Sequence, residues 1–245
     1  MKGKDSNLSE AHLASALDKI VFPLDGGLEE SLAWAAELGD LVGCLKIGLE
    51  LFVAAGPGAV AAVKKKAPKA KIFLDLKLHD IPATMAKAAA AAASLGVDLL
   101  TVHAQAGPEA LAAAAAAAKP AQTLAVTVLT SLRPEAFPEL APPFQEPGRW
   151  ALALAERALV AGCQGLVASP QEVKAIRLKL GPGPLLAVPG VRPAWAKVQS
   201  DDQKRVGSPA QAVRDGADLI VVGRPIREAP DRRAAALAVA RETAA

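Results

Sequence analysis

Eight short apolar runs, each followed by a helix-forming stretch, constrain this 245-residue chain more than any other feature. The runs are KIVFPL (19–24), LVGCLKI (41–47), KIFLDLK (71–77), DLLTVHA (98–104), TLAVTVL (123–129), QGLVAS (164–169), PLLAVP (184–189) and DLIVVG (218–223). They are nearly continuous in apolar residues rather than alternating, the pattern of parallel strands covered on both faces. Between them, EESLAWAAEL, MAKAAAAAAS, PEALAAAAAAA and WALALAERALVA are rich in strong helix formers. Gly96, Gly162 and Gly216 each stand just before a strand and mark helix ends. Eight such units in about 250 residues is the arithmetic of a (β/α)8 TIM barrel. An open doubly wound sheet has fewer strands and a glycine-rich fingerprint after the first, and LDGG is no G-x-G-x-x-G. The chain therefore reads as a single α/β barrel domain over 1–245, with 1–18 as an N-terminal helical extension.

Composition narrows the class of function. Hydrophobic residues make up 52%, ample for a large core, but aromatics are only 3% and tyrosine is absent. That core must be aliphatic and alanine-rich. A net charge of +3, spread among acids, is too mild for a nucleic-acid binder, and the aromatics are too few for base stacking. It suits a small anionic ligand. Cys44 and Cys163 lie far apart in no metal-binding or CxxC pattern, so they read as reduced, partly buried thiols. The N-terminal residues show no apolar signal region, and the longest apolar run, 110–118, is far short of a membrane span. A soluble, cytoplasmic protein is expected.

The polar residues collect at the ends of the runs. Asp25, Lys46, Asp75 with Lys77, His103, Thr130, Ser169, Arg192 and Gly223–Arg224 stand at or just past the C-termini of the strands, whereas the strand starts show no comparable regularity in this reading. In a barrel of this kind that end carries the active site. Two long connections, 131–149 with five prolines and the polar 189–207, open onto the same end, the second reading as a lid.

The most informative stretch is KIFLDLKLHDIP (71–82). Asp75 and Lys77, two apart on a strand, share a face, and Lys46 on the neighbouring strand can join them. Ionised groups at a strand end cost several kcal/mol each unless paired. An alternating Lys–Asp–Lys array keeps all three charged. The residues alone admit either a buried ion network closing the barrel or a reactive site. Asp80 lies past the strand, where a helix-capping carboxylate is the alternative to a functional one. His79 and His103 suggest no metal site. Arg192, Gln203, Gly223 and Arg224, around the loops after strands seven and eight, fit a phosphate.

These motifs resemble the orotidine 5'-phosphate decarboxylase family. FLDLKLHDIPATM resembles its Asp-x-Lys-x-x-Asp signature, FPLD its first-strand aspartate and CLKIGLELF its second-strand lysine. VTVLTSL, VPGVRP, SDDQKRV and IVVGRPI follow in the family's order, so the match covers 20–228. The resemblance implies a homodimeric TIM-barrel enzyme, free of cofactor and metal, that converts orotidine 5'-monophosphate to UMP and CO2 in pyrimidine synthesis. It implies that Lys77 donates the proton to C6 and that Asp75 faces the scissile carboxylate. Asp80 is lent across the subunit interface, and Asp25 and Lys46 hold the ribose. Thr130 and backbone near Pro189 flank the base, and the stretch from Asp75 through Thr84 lines the ligand. Arg192, Gln203, Gly223 and Arg224 cap the base and grip the phosphate. Gln199 rivals Gln203 for its place.

Two alternatives carry different expectations. One is a magnesium-dependent sugar-phosphate decarboxylase or aldolase on the same barrel, which a chelator would silence. The other is a nucleotide-binding barrel without turnover.

Overall fold

The computed structural model describes residues 9–132, 135, 139, 146–196 and 205–244. The apolar runs become eight strands: β1 (Ile20–Pro23), β2 (Cys44–Gly48), β3 (Lys71–Leu78), β4 (Leu99–His103), β5 (Gln122–Val126), β6 (Gly165–Val167), β7 (Leu185–Val188) and β8 (Leu219–Val221). All pair in parallel with their sequence neighbours, and β8 pairs with β1, closing the barrel. The expected (β/α)8 architecture is what the chain forms.

The helices are α1 (Glu10–Leu17), α2 (Leu28–Leu38), α3 (Leu49–Ala55), α4 (Gly58–Lys66), α5 (Pro82–Ser94) and α6 (Pro108–Ala117). They continue with α7 (Pro147–Val160), α8 (Val173–Leu180), α9 (Pro209–Arg214), α10 (Arg224–Arg227) and α11 (Arg232–Thr243). Helix α1 precedes the barrel and packs on α11. Gly96, Gly162 and Gly216 follow the ends of α5, α7 and α9 in the left-handed region, at φ 72°, 98° and 110°. That conformation stops a helix at little cost only for glycine. Alanine does the packing where helices crowd: α5 buries Met85, Ala89 and Ala92, and its neighbour α6 buries Ala110, Leu111, Ala114 and Ala115.

Two apolar layers result from the strand period of two. Ile20, Phe22, Leu45, Ile72, Leu74, Leu100 and their like face the helices. Val21, Cys44, Phe73, Leu99, Leu124 and Ala187 fill the barrel interior, with Val167, Leu185, Leu219 and Val221. One step further along the inward positions, this filling gives way to Lys46, Asp75 and Thr101. Cys44 and Cys163 are both free and buried, and burial pushes both thiols up, Cys163 to about 11. Neither is a thiolate at neutral pH.

The strand starts correct one expectation, because they do carry regular polar residues. Asp98, Gln164 and Asp218, just before β4, β6 and β8, accept the backbone N–H of Ile72, Thr123 and Leu186 at 2.8 Å each. Each satisfies a donor on the preceding strand that the parallel ladder leaves without a partner. Arg177 of α8 then pairs with Asp218 at 2.7 Å.

Candidate active site

A cavity of about 550 Å³ opens at the C-terminal mouth of the barrel. Asp25, Lys46, Asp75, Lys77, Thr130, Pro189, Arg192, Gly223 and Arg224 all line it. On one side the charges alternate. Lys46 Nζ lies 3.4 Å from Asp25 Oδ1 and 3.5 Å from Asp75 Oδ2, and Lys77 Nζ lies 2.9 Å from Asp75 Oδ1. The side chains of Lys46 and Asp75 are 12% and 13% exposed, but that of Lys77 is 31% exposed. Lys77, the more exposed of the two lysines, thus pairs with the Asp75 carboxylate while lining the cavity.

Desolvation by burial works to raise the Asp75 pKa. The positive charge of Lys46 and Lys77, with hydrogen bonds from Lys77 and Thr101, outweighs it and holds the carboxyl below its usual range. Asp75 is thus an anion at neutral pH despite its burial. Two glycines keep the mouth clear, one beside the array and one beside Pro23. A Cβ on Gly48 would stand 3.0 Å from Lys46 Nζ, and one on Gly223 would meet Pro23 Cγ at 2.9 Å.

The lysine-bearing end of β3 is irregular. Leu74 pairs with Leu100 and Leu78 with Val102, so three residues of β3 face only Thr101 of β4. Lys77 within this bulge has φ 51°, the only positive value at a non-glycine residue among those described. Asp75 and Lys77 meet at 2.9 Å and both line the cavity, as expected, but they do so across a bulge and not by regular strand alternation.

The same cavity is lined by three arginines, Arg192, Arg224 and Arg227. Sequence reasoning passed over Arg227, although its place three residues beyond Arg224 puts it on the same helical face. It donates to the Asp25 carbonyl at 2.9 Å, tying the arginine side of the mouth to the loop that carries Asp25. Arg205 was also missed. Fully enclosed, it pairs with Glu172 and donates to the Val128 and Leu129 carbonyls, both at 2.9 Å. Desolvation lowers its pKa to about 10, which leaves it charged. It fastens the end of the 189–207 connection to the strand-five side of the cavity, whose wall includes Val128 through Ser131. The start of that connection is held by the Val191–Gly207 bridge, with Arg192 N–H donating to the Gly207 carbonyl at 2.8 Å. Gln199 and Gln203 lie outside the described residues.

Some residues at strand ends do not join the cavity. Ser169 is buried and its N–H donates to Glu172. His103 stacks on His79 with ring centres 5.3 Å apart. The stretch from Asp75 to Thr84 does not line the cavity as a unit: within one chain only Asp75 and Lys77 do. From His79 to Thr84 every residue is exposed, Ile81 by 66%. Nor is Asp80 the helix cap. Ile81 holds that position, and Asp80 Oδ1 merely accepts the Ile81 N–H at 2.7 Å.

A barrel mouth lined both by paired ammonium and carboxylate groups and by three arginines is the site of an enzyme for a phosphorylated, anionic substrate. Residues 12–239 match the family described as Orotidine 5'-phosphate decarboxylase / HUMPS family, and the chain belongs to that family. A relative from Anaeromyxobacter dehalogenans, named orotidine 5'-phosphate decarboxylase, is 51% identical over 231 residues, covering 93% of this chain and 96% of its own. One of the same name from Moorella thermoacetica is 45% identical over 252 residues, with 96% of each chain covered. Among solved structures, orotidine 5'-phosphate decarboxylase from Lactobacillus acidophilus superposes with a TM-score of 0.78 at 33% identity, over 92% of this chain and 99% of that one.

Proposed function

We propose that this site decarboxylates orotidine 5'-monophosphate to UMP and CO2. The observation that carries the reading is that the Asp25–Lys46–Asp75–Lys77 array and Arg192, Arg224 and Arg227 line one cavity. The substrate offers a phosphate and a carboxylated pyrimidine, and the cavity is lined by arginines suited to the one and by paired lysines suited to the other.

In the reaction the bond between C6 and the carboxylate breaks, CO2 leaves and the electron pair remains on C6. A proton from Lys77 Nζ then forms the new C–H bond, and solvent restores the lysine. Lys46 and Lys77 supply fixed positive charge where negative charge develops, which needs no reorganisation at the moment of reaction. Asp75, itself held ionised, pairs with both ammonium groups and aims them. Asp25 with Lys46 binds ribose hydroxyls, and Thr130 and Pro189 flank the base. Arg192, Gly223 and Arg224 bind the phosphate, and that remote binding energy is available to lower the barrier at C6.

Asp80 and Thr84 belong to this scheme in trans. Their exposure, their place outside the chain's own cavity and the exposed Ile81 between them support a homodimer in which each chain lends this strip to its partner's site. The protein then serves pyrimidine synthesis in the cytoplasm.

The test follows the absorbance change as orotidylate becomes uridylate, with and without a chelator. Turnover that survives chelation is expected. Folded protein that binds UMP but forms none would leave a binding barrel, and no orotidylate turnover beside chelator-sensitive turnover of a sugar phosphate would favour the magnesium-dependent alternative.

A further inference from the structure

Thr101 is the polar residue at the centre of the array that no charge marks. It is fully buried, on β4, one inward position beyond Leu99. Its Oγ1 accepts the Lys77 N–H at 2.8 Å and donates to Asp75 Oδ1 at 2.9 Å. It occupies the gap left where three residues of β3 face one of β4. No ladder bond is available to the Lys77 N–H inside such a bulge, and a buried donor left unpaired costs about 1–3 kcal/mol.

We infer that Thr101 is a positioning residue for the decarboxylation: its one hydroxyl fixes both the left-handed backbone of Lys77 and the carboxylate of Asp75. The geometry leaves little freedom. Asp75 Oδ1 receives both the Thr101 hydroxyl and Lys77 Nζ, so the hydroxyl sets where the carboxylate stands and the carboxylate sets where the ammonium stands. The same hydroxyl reaches Lys77 from its other end, through the main chain. A β-branched side chain suits the task, because its χ1 is stiff and its oxygen direction is set by the strand. Lys77 at φ 51° is in a conformation that non-glycine residues seldom adopt, and it persists only where surroundings hold it. Thr101 is the neighbour that does so. Lys46, the other charge on Asp75, contacts Oδ2 and leaves this arrangement intact.

This inference rests on the decarboxylase reading, so wild type, Thr101→Val and Thr101→Ser are assayed together, with UMP affinity measured on each. The valine variant keeps the volume and loses both hydrogen bonds. Its kcat is expected to fall by about 10- to 100-fold, as for a reacting group displaced by up to an ångström. UMP affinity should stay within about threefold, or under 1 kcal/mol, because the arginine side of the cavity is untouched. Serine restores the hydroxyl and should recover most of the loss. Valine with wild-type kcat, serine no better than valine, or kcat and UMP affinity falling together would each overturn the inference. Should the valine variant not fold, Thr101→Ala, which cannot overcrowd the site, takes its place under the same criteria. An inactive wild type would instead count against the decarboxylase reading.

Discussion

At the amino-terminal rim of the barrel, Asp98, Gln164 and Asp218 turn their side chains onto backbone N–H groups of the preceding strand. At the opposite rim, Asp25, Lys46, Asp75 and Lys77 turn theirs onto one another and onto a cavity. Both rims place polar residues at strand ends, so polarity alone does not separate a site from a scaffold. The partner does. A side chain aimed at the main chain of a neighbouring strand is tied to the scaffold and does not line the cavity at the mouth. Charges that pair mainly with one another beside a cavity can exchange part of that interaction for a substrate.

The sharpest contrast comes from the mouth. Replacing Lys77 by alanine removes the proposed proton donor and one of the two ammonium groups of the array, and turnover should fall by at least about 10²–10⁴-fold, the range for a positioned general acid. UMP affinity should change far less. Retention of more than about a tenth of turnover contradicts the role. The same variant tests the shared site. Asp80→Ala alone should also be nearly inactive, yet a mixed dimer with Lys77→Ala has one site with both lesions and one with neither. Co-refolding equal amounts should restore about a quarter of wild-type activity, and mixed dimers without recovery would place Asp80 in its own chain's site.

A smaller effect is expected across the cavity. In its proposed role Arg224 makes charge-assisted hydrogen bonds to phosphate, so Arg224→Ala should lower kcat/KM by about 10- to 150-fold. On a substrate lacking the phosphate, the variant and wild type should be equal. An equal defect on both substrates would remove Arg224 from phosphate binding.

The smallest effect on catalysis belongs to the other rim. Gln164→Ala strands the buried Thr123, whose N–H and hydroxyl both donate to Gln164 Oε1, at 2.8 and 2.9 Å. A loss of about 1–3 kcal/mol is expected. At roughly 2–4 °C per kcal/mol for a chain of this size, a thermal melt should show it. The kcat and KM of the folded variant at 25 °C should match wild type. A shift in either would blur the division between the rims.

The strands were legible because apolar runs report burial, and burial is what a barrel strand has in common along its length. Their ends were less so for the same reason. The run 123–129 continues past β5, which stops at Val126, because Val128 and Leu129 are apolar residues of the cavity wall, not of the ladder. Asp75, Lys77 and Arg224 stood out as charges where charge is costly. Thr101 did not, since threonine is an ordinary strand former and its burial is visible only once β4 lies beside β3. The bulge around Lys77 carries no glycine to announce it. Arg205 lies in a basic, polar stretch that reads as solvated, and only the fold shows it enclosed against Glu172. The amino-terminal rim was written out as GVD, GCQ and GAD, but those triplets read as turns until the side chains' backbone partners are known.

The alanine faces of α5 and α6 have a thermal consequence. Alanine loses no rotamer freedom when it is buried, so this part of the helical shell orders without the side-chain entropy that leucine or methionine would forfeit. It also removes less hydrocarbon from water per residue, and apolar area is what gives unfolding its large heat capacity. A shell built this way favours a stability curve that is broad in temperature rather than high at its peak.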